Sequence, residues 1–199
     1  MLDESISQLT KARDANDVVF RRNTFRRCPD IWSSTTDFKT IKRISNINPH
    51  QDEYKWGNVE LIEWKATDGQ TLDGLLYKPD DFDPAKKYPL LVYFYERRSD
   101  NLHSYYAPAA GRSIINFSFY VSRGYALFVP DIPYQTGEPG PSAVNSVLSG
   151  TQAVVDMGFI DEKRIGMQGH SWGGYQAAYL VTKTDMFACA ESGAPVSNM

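Results

Sequence analysis

The chain has 199 residues, of which 42% are hydrophobic, 13% aromatic and 23% charged, with a formal net charge of −3. This composition excludes a disordered chain, and the small acidic excess disfavours sequence-independent binding to nucleic acid. No apolar run approaches the about 18 residues that a membrane span needs, so we expect one or two globular domains and no membrane partner.

Three short β-rich runs occupy the first 50 residues, at 18–22, 30–35 and 39–44. Their spacing of about ten residues is typical of an antiparallel sheet from a propeller or a sandwich. Three or four strands would form one propeller blade, and no second copy of the pattern follows. The sequence therefore predicts a single blade-like sheet at the N-terminal end.

A different pattern begins after the polar segment 46–54. Its predicted elements are, in chain order, strands at 59–64, 72–77 and 88–95, a helix at 112–123, a strand at 125–130, a helix at 142–155, a strand at 164–168, a helix at 171–184 and a strand at 187–191. Asp68-Gly69 predicts a hairpin turn, Ser142 a helix N-cap and Gly124 a helix stop. The alternation of strands and helices after residue 88 predicts an α/β fold with a mostly parallel sheet and helices on its faces.

Gly169-His170-Ser171-Trp172-Gly173 fits the pattern G-x-S-x-G, between a predicted strand and a predicted helix. In this setting a strained turn lifts the serine hydroxyl clear of the sheet, and the flanking glycines prevent Cβ clashes. The helix N-terminus behind the turn offers N–H groups to a developing oxyanion. Ser171 is therefore predicted to be a nucleophile.

A serine nucleophile needs a general base and a carboxylate that orients the base. In hydrolases with this turn the partners follow in the order serine, acidic residue, histidine. The three histidines are His50 in the polar linker, His103 in a loop and His170 inside the tight turn, and none follows Ser171. We expect the base to be missing from this chain.

Cys28 and Cys189 lie in segments of different character and lack metal-ligand spacing. The sequence favours two unpaired thiols, and it predicts neither a metal nor a cofactor. The first residues do not form a signal peptide, and the sequence does not indicate a cellular compartment.

These features resemble the prolyl oligopeptidase family of serine peptidases, on its dipeptidyl peptidase IV-like side. The resemblance rests on 169–175, where the family shows G-x-S-x-G-G-Y, on 192–197 (Ser-Gly-Ala-Pro-Val-Ser), and on the Tyr-Pro-apolar run within 87–95. It implies a partial α/β-hydrolase fold preceded by a piece of β-propeller blade. Residues 1–52 would be last-blade strands and a linker, and 53–199 the N-terminal portion of the catalytic domain, without its downstream Asp and His.

The resemblance also implies residue roles. Ser171 matches the nucleophile, and the Trp172 N–H and the Tyr95 hydroxyl match the two oxyanion donors. Trp172, Tyr175 and Val196 match positions that line an apolar specificity pocket. Core packing stays the alternative for Tyr95, and helix-face packing the alternative for Tyr175.

One segment departs from the family pattern. The family follows its oxyanion tyrosine with a Gly-Pro-type turn, whereas this chain has Glu96-Arg97-Arg98. We expect a solvated charged turn of different shape here.

The sequence thus predicts a serine peptidase that cleaves peptides through an acyl-enzyme at Ser171. A carboxylesterase or other acyl hydrolase on the same fold is the alternative, and a non-catalytic fragment is the third hypothesis. The 199-residue chain by itself is expected to be inactive because its triad is incomplete. The predicted strand at 187–191 would form an exposed sheet edge, which is a template for self-association.

Overall fold

The computed structural model describes residues 3–109 and 114–197, which form two compact units. The first unit contains the residues up to Lys55 together with Asn101–Ala107, and the second contains Trp56–Asp100 and the described residues from Pro108 onward. No helix in these residues is long and apolar enough to span a bilayer.

The first unit is a four-stranded antiparallel sheet in the order β1-β2-β3-β4. Its strands are β1 (Ser5–Lys11), β2 (Asp17–Thr24), β3 (Arg27–Thr35) and β4 (Lys42–Arg43), followed by a 3-10 helix at Pro49–Glu53. Val18 and Phe20 alternate on β2 and are buried, which gives this sheet its apolar core. Strand β1 was not predicted, because nearly all of its side chains are exposed and it lacks the alternation of a half-buried strand.

A buried carboxylate ties β3 to the segment after it. Asp30 is 2% exposed, accepts a hydrogen bond of 2.6 Å from Arg43 Nε and another from the Ser45 hydroxyl. Burial disfavours the charged form of Asp30, but these donors outweigh it and hold the pKa of the carboxyl below its ordinary value.

The second unit is built on a six-stranded sheet in the order β10-β9-β7-β8-β6-β5. Its elements are β5 (Asn58–Lys65), β6 (Thr71–Lys78), β7 (Tyr88–Tyr93), α1 (Phe117–Val121), β8 (Ala126–Pro130), α2 (Pro139–Asp156), β9 (Ile160–His170), α3 (Trp172–Leu180) and β10 (Cys189–Gly193). The four strands β10, β9, β7 and β8 are parallel, and β6 and β5 complete the sheet antiparallel. Among the described residues, β10 pairs only with β9 and forms one edge.

Helices cover both faces of this sheet. On one face the Phe117 ring of α1 lies 4.9 Å from the ring of Tyr77. On the other face, Gly150 of α2 lies so close to Trp64 and Phe128 that an added Cβ would meet their rings at 2.7 and 2.9 Å. Successive strand residues point to opposite faces, so both faces of the sheet must be covered. The predicted α/β fold, with a mostly parallel sheet and helices on its faces, is confirmed.

Local predictions differ in their outcome. The hairpin turn at Asp68-Gly69 is confirmed, because β5 and β6 pair antiparallel around it and Gly69 has a φ of 86°. Gly124, with a φ of 82°, follows α1, while Arg112 of that predicted helix lies outside the described residues. The N-cap at Ser142 is wrong.

Helix α2 begins three residues before Ser142, at Pro139. Proline suits the first helical position, where a backbone N–H would have no intrahelical partner. The Ser142 hydroxyl instead donates to the Glu138 carbonyl at 2.7 Å, from inside the first turn.

Candidate active site

The carboxyl ends of β7, β8, β9 and β10 meet at one edge of the sheet because the four strands are parallel. In sheets of this kind, ligands bind outside these ends. Tyr95 follows β7, Asp131 and Tyr134 follow β8, Ser171 follows β9, and Val196 follows β10. The residues predicted from the sequence as site residues therefore all belong to this edge or to the first turn of α3.

Ser171 occupies a strained turn between β9 and α3. Its φ of 58° and ψ of −111° lie in a region that non-glycine residues rarely adopt. Its N–H donates to the Gly193 carbonyl at 2.8 Å, and its carbonyl accepts from the Tyr175 N–H at 3.1 Å and the Val196 N–H at 3.3 Å. Strain that the surrounding structure maintains in this way is typical of functional sites.

The glycines on either side of Ser171 allow backbone to approach backbone. A Cβ added at Gly169 would lie 2.0 Å from the Gly173 carbonyl oxygen. A Cβ added at Gly173 would lie 2.5 Å from the Phe94 carbonyl oxygen. The turn is thus closed on itself and packed against the segment that leads to Tyr95.

Tyr95 lies two residues past the end of β7 and is held through its main chain. Its carbonyl accepts hydrogen bonds from the Tyr134 hydroxyl at 2.6 Å and from Gln176 Nε2 at 3.0 Å. Its ring is half-buried, and its Cδ2 lies 3.8 Å from the position that a Cβ at Gly173 would take. Tyr95 is therefore beside the turn that carries Ser171.

The charged turn after Tyr95 is anchored by one buried carboxylate. Asp131 Oδ1 accepts from the backbone N–H groups of Arg98 at 2.6 Å and Ser99 at 2.8 Å, and Oδ2 accepts from the Ser99 hydroxyl at 2.5 Å. Arg97 is largely exposed, as predicted, with Nε 3.7 Å from Asp131 Oδ2. The side of the turn that carries Arg97 is exposed to solvent, and the backbone of the turn is held from the protein side by Asp131.

A row of aromatic rings adjoins Ser171. Trp172 stacks on Tyr175 with centroids 5.3 Å apart, Tyr175 stacks on Tyr179 at 6.2 Å, and Tyr134 meets Trp172 edge-on at 5.9 Å. Burial raises the pKa of the Tyr134 hydroxyl well above its ordinary value, so this group stays a neutral donor. Val196 is half-buried and contributes its N–H to Ser171.

No histidine is hydrogen-bonded to Ser171 Oγ within residues 3–109 and 114–197. His170 ends β9, and its Nδ1 lies 3.1 Å from the position that a Cβ at Gly193 would take, toward β10. His50 and His103 belong to the four-stranded unit. In the described part of the chain no three acidic, histidine or cysteine side chains cluster as a metal site, and Cys28 and Cys189 are free thiols.

Three residues that hold the segments of this site were not predicted from the sequence, namely Asp131 and Tyr134 at this edge and Gln176 in α3. A polar residue directly after a buried parallel strand was a usable signal for Asp131, since such positions face the ligand side of the sheet. Tyr134 and Gln176 gave no local signal, because both contact a carbonyl that is distant in sequence.

Much of this chain is similar in sequence to known proteins. Residues 113–199 match the family model described as prolyl oligopeptidase family. The sequence is 30% identical to dipeptidyl peptidase 8 of Mus musculus over 69% of this chain and 17% of that protein. It is also 30% identical to prolyl endopeptidase FAP of Bos taurus over 83% of this chain and 24% of that protein. These matches support membership of the prolyl oligopeptidase family.

Solved structures of peptidases show the same fold at low sequence identity. The acylaminoacyl peptidase of Pyrococcus horikoshii aligns with a TM-score of 0.75 and 17% identity over 99% of this chain and 32% of that one. Dipeptidyl peptidase 4 of Porphyromonas gingivalis aligns with a TM-score of 0.70 and 18% identity over 96% of this chain and 29% of that one. An α/β-hydrolase fold preceded by a piece of propeller blade is confirmed. The chain spans about a quarter or less of the length of the prolyl oligopeptidase relatives named above.

Proposed function

We propose that the full-length protein is a serine peptidase that cleaves peptides through an acyl-enzyme at Ser171. The observation that carries the proposal is the strained conformation of Ser171 at the carboxyl end of β9, in a chain of this family. A strained strand-to-helix turn presents a serine hydroxyl to a substrate above the sheet.

The reaction would proceed in two displacements. Ser171 Oγ attacks the scissile carbonyl and gives its proton to a general base, and the tetrahedral intermediate then expels the amine, which takes that proton. Water hydrolyses the acyl-enzyme by the same route. We propose that the Tyr95 hydroxyl and the Trp172 N–H donate to the oxyanion, because Tyr95 lies beside the turn and Trp172 begins α3.

We propose that Trp172, Tyr175 and Val196 form the wall of an apolar pocket beside Ser171. The stacked Trp172 and Tyr175 rings offer flat apolar surface, which suits a compact ring such as that of proline. Tyr175 stacks on Tyr179 as well as on Trp172, so helix-face packing and pocket formation are compatible roles.

The proposal assigns 1–52 to the end of a β-propeller with its linker, and 53–199 to the N-terminal portion of the catalytic domain. In support, the four strands pair in chain order, as in a propeller blade. Val19 and Ile31 lie on one face of this sheet and are 40% and 39% exposed, as expected of a face that a second sheet covers. The missing Asp and His would come from elsewhere in the full-length protein. The sequence of that protein tests the assignment of 1–52 to a propeller and of 53–199 to the catalytic domain.

A fluorophosphonate probe tests the nucleophile directly. We expect rapid stoichiometric labelling of the full-length protein, none in Ser171→Ala, and unchanged labelling in the control Ser142→Ala, since Ser142 lies in the first turn of α2. Labelling that persists in Ser171→Ala would refute the assignment.

Peptide and ester substrates separate the two hydrolase classes. The peptidase proposal predicts turnover of peptide amides, whereas a carboxylesterase would hydrolyse esters alone. The blade-like sheet favours the peptidase, because an esterase on this fold does not need it. Turnover restricted to ester substrates would refute the peptidase proposal.

A further inference from the structure

The backbone carbonyl of Tyr95 is fixed by two side chains from two different elements. The Tyr134 hydroxyl reaches it at 2.6 Å from the loop after β8, and Gln176 Nε2 reaches it at 3.0 Å from the buried face of α3. Gln176 has no exposed surface, and Tyr134 is half-buried. Two side-chain donors on one main-chain oxygen leave its peptide group little freedom.

This restraint matters because strand pairing does not extend to Tyr95. The last residue of β7 in register with β9 is Tyr93, paired with Gln168. From Phe94 onward the chain leaves the sheet and enters the charged turn. The orientation of the Tyr95 peptide group sets where the Tyr95 side chain begins, and so where its hydroxyl can reach.

Tyr134 also contacts the residue that carries the second proposed donor. Its ring meets the Trp172 ring edge-on, with centroids 5.9 Å apart and planes at 66°. One side chain therefore touches the main chain of Tyr95 and the side chain of Trp172. We infer that Tyr134 is a positioning residue that sets the Tyr95 hydroxyl relative to the Trp172 N–H, an inference that rests on the proposed oxyanion roles of these two residues.

The expected effect follows from the sensitivity of oxyanion stabilisation to geometry. Removing one donor lowers a rate by about 10²- to 10³-fold, and a displacement of about 1 Å can lower it by about 10²-fold. Tyr134→Phe keeps the ring against Trp172 and removes only the hydroxyl. Gln176 still holds the carbonyl, so we expect a loss of about 10-fold, smaller than that of Tyr95→Phe.

The experiment measures phosphonylation of Ser171 in the full-length protein by a fluorophosphonate probe, separating the maximal rate kinact from the half-saturating concentration KI. Tyr134→Phe, Tyr95→Phe and the double variant are compared with the unmodified protein. The matched control is Tyr88→Phe at the other end of β7, where the hydroxyl accepts the Asp83 N–H at 2.8 Å. Thermal unfolding of each variant separates stability from rate.

We expect kinact to fall about 10-fold in Tyr134→Phe with KI within about twofold, and no change in kinact in Tyr88→Phe. In the Tyr95→Phe background, Tyr134→Phe should change kinact by less than about twofold, because its effect passes through Tyr95. Equal losses in both backgrounds would overturn the inference, as would unchanged kinact in Tyr134→Phe beside an impaired Tyr95→Phe. An unimpaired Tyr95→Phe would instead refute the proposed role of Tyr95, and the inference would fall with it.

Discussion

Gly169 lies so close to Gly173 that the turn around Ser171 has no room for a side chain at this position. In Gly169→Ala the new Cβ would lie 2.0 Å from the Gly173 carbonyl oxygen and 2.3 Å from its carbonyl carbon. Real Cβ atoms essentially never approach within 3.0 Å, so the two backbone segments would have to separate by about 1 Å. Both are main chain, and neither can turn aside as a flexible side chain would.

The displacement predicts two measurable losses. Overpacking of this kind destabilises a protein by about 1–3 kcal/mol, and a shift of about 1 Å at a reacting group lowers its rate by about 10²-fold. Gly173→Ala requires a smaller separation of about 0.5 Å from the Phe94 carbonyl, so its losses should be smaller. Gly158→Ala is the control, because its φ of 90° makes alanine strained there while no atom lies within 4 Å of the new Cβ.

The assays are urea denaturation and the rate of fluorophosphonate labelling in the full-length protein. We expect labelling to slow most in Gly169→Ala, less in Gly173→Ala and not at all in Gly158→Ala, although Gly158→Ala should lose about 1 kcal/mol of stability. Labelling of Gly169→Ala at the unmodified rate, with unchanged stability, would refute the reasoning that this close approach shapes the turn.

Three further predictions concern the carboxylates and the base. Asp131→Ala should lower the free energy of unfolding by about 1–3 kcal/mol in urea denaturation, because it leaves the Arg98 and Ser99 N–H groups unpaired in a buried site. The control Asp161→Ala removes an acceptor near the surface for the Lys163 N–H, so it should lower the free energy of unfolding less. A larger loss in Asp161→Ala than in Asp131→Ala would contradict this account. Asp30→Asn should be less stable than the unmodified chain at pH 7, because a lowered pKa of the folded carboxyl stabilises the fold above the unfolded value near 3.8. The difference should shrink as the pH falls below about 3.8 toward the folded pKa, and urea titrations at pH 7 and pH 3 that gave the same difference would argue against it. The 199-residue chain by itself should react with a fluorophosphonate far more slowly than the full-length protein, since no histidine of the described residues hydrogen-bonds to Ser171 Oγ; equal rates would show that a base is present within it.

Local patterns were sufficient to predict the turn that carries Ser171. G-x-S-x-G, preceded by an apolar run and followed by helix-forming residues, predicts a strand, a tight turn and a helix, and the structure has β9, a strained Ser171 and α3 in that order. Each of these features depends on residues within a few positions of Ser171. The hairpin at Asp68-Gly69 was predictable for the same reason, because a positive φ at glycine is a local requirement.

Local patterns failed where the environment, and not the residue itself, sets the structure. The exposed strand β1 shows no alternation, since its pairing with β2 and not a buried face makes it a strand. Ser142 is a good N-cap residue in isolation, but Pro139 starts the helix one turn earlier.

The sequence by itself determined the class of fold and predicted Ser171 as the nucleophile, with no histidine between Ser171 and residue 199. Only the tertiary structure decided how Tyr95 is held, because its carbonyl meets Tyr134 and Gln176 across 39 and 81 residues of chain. Likewise, the turn at 96–98 looked like solvated surface, and its anchor Asp131 lies about 30 residues away. The physical reason is that parallel strands bring their carboxyl ends to one edge of the sheet, so hydrogen bonds that fix the site join segments that are far apart in sequence.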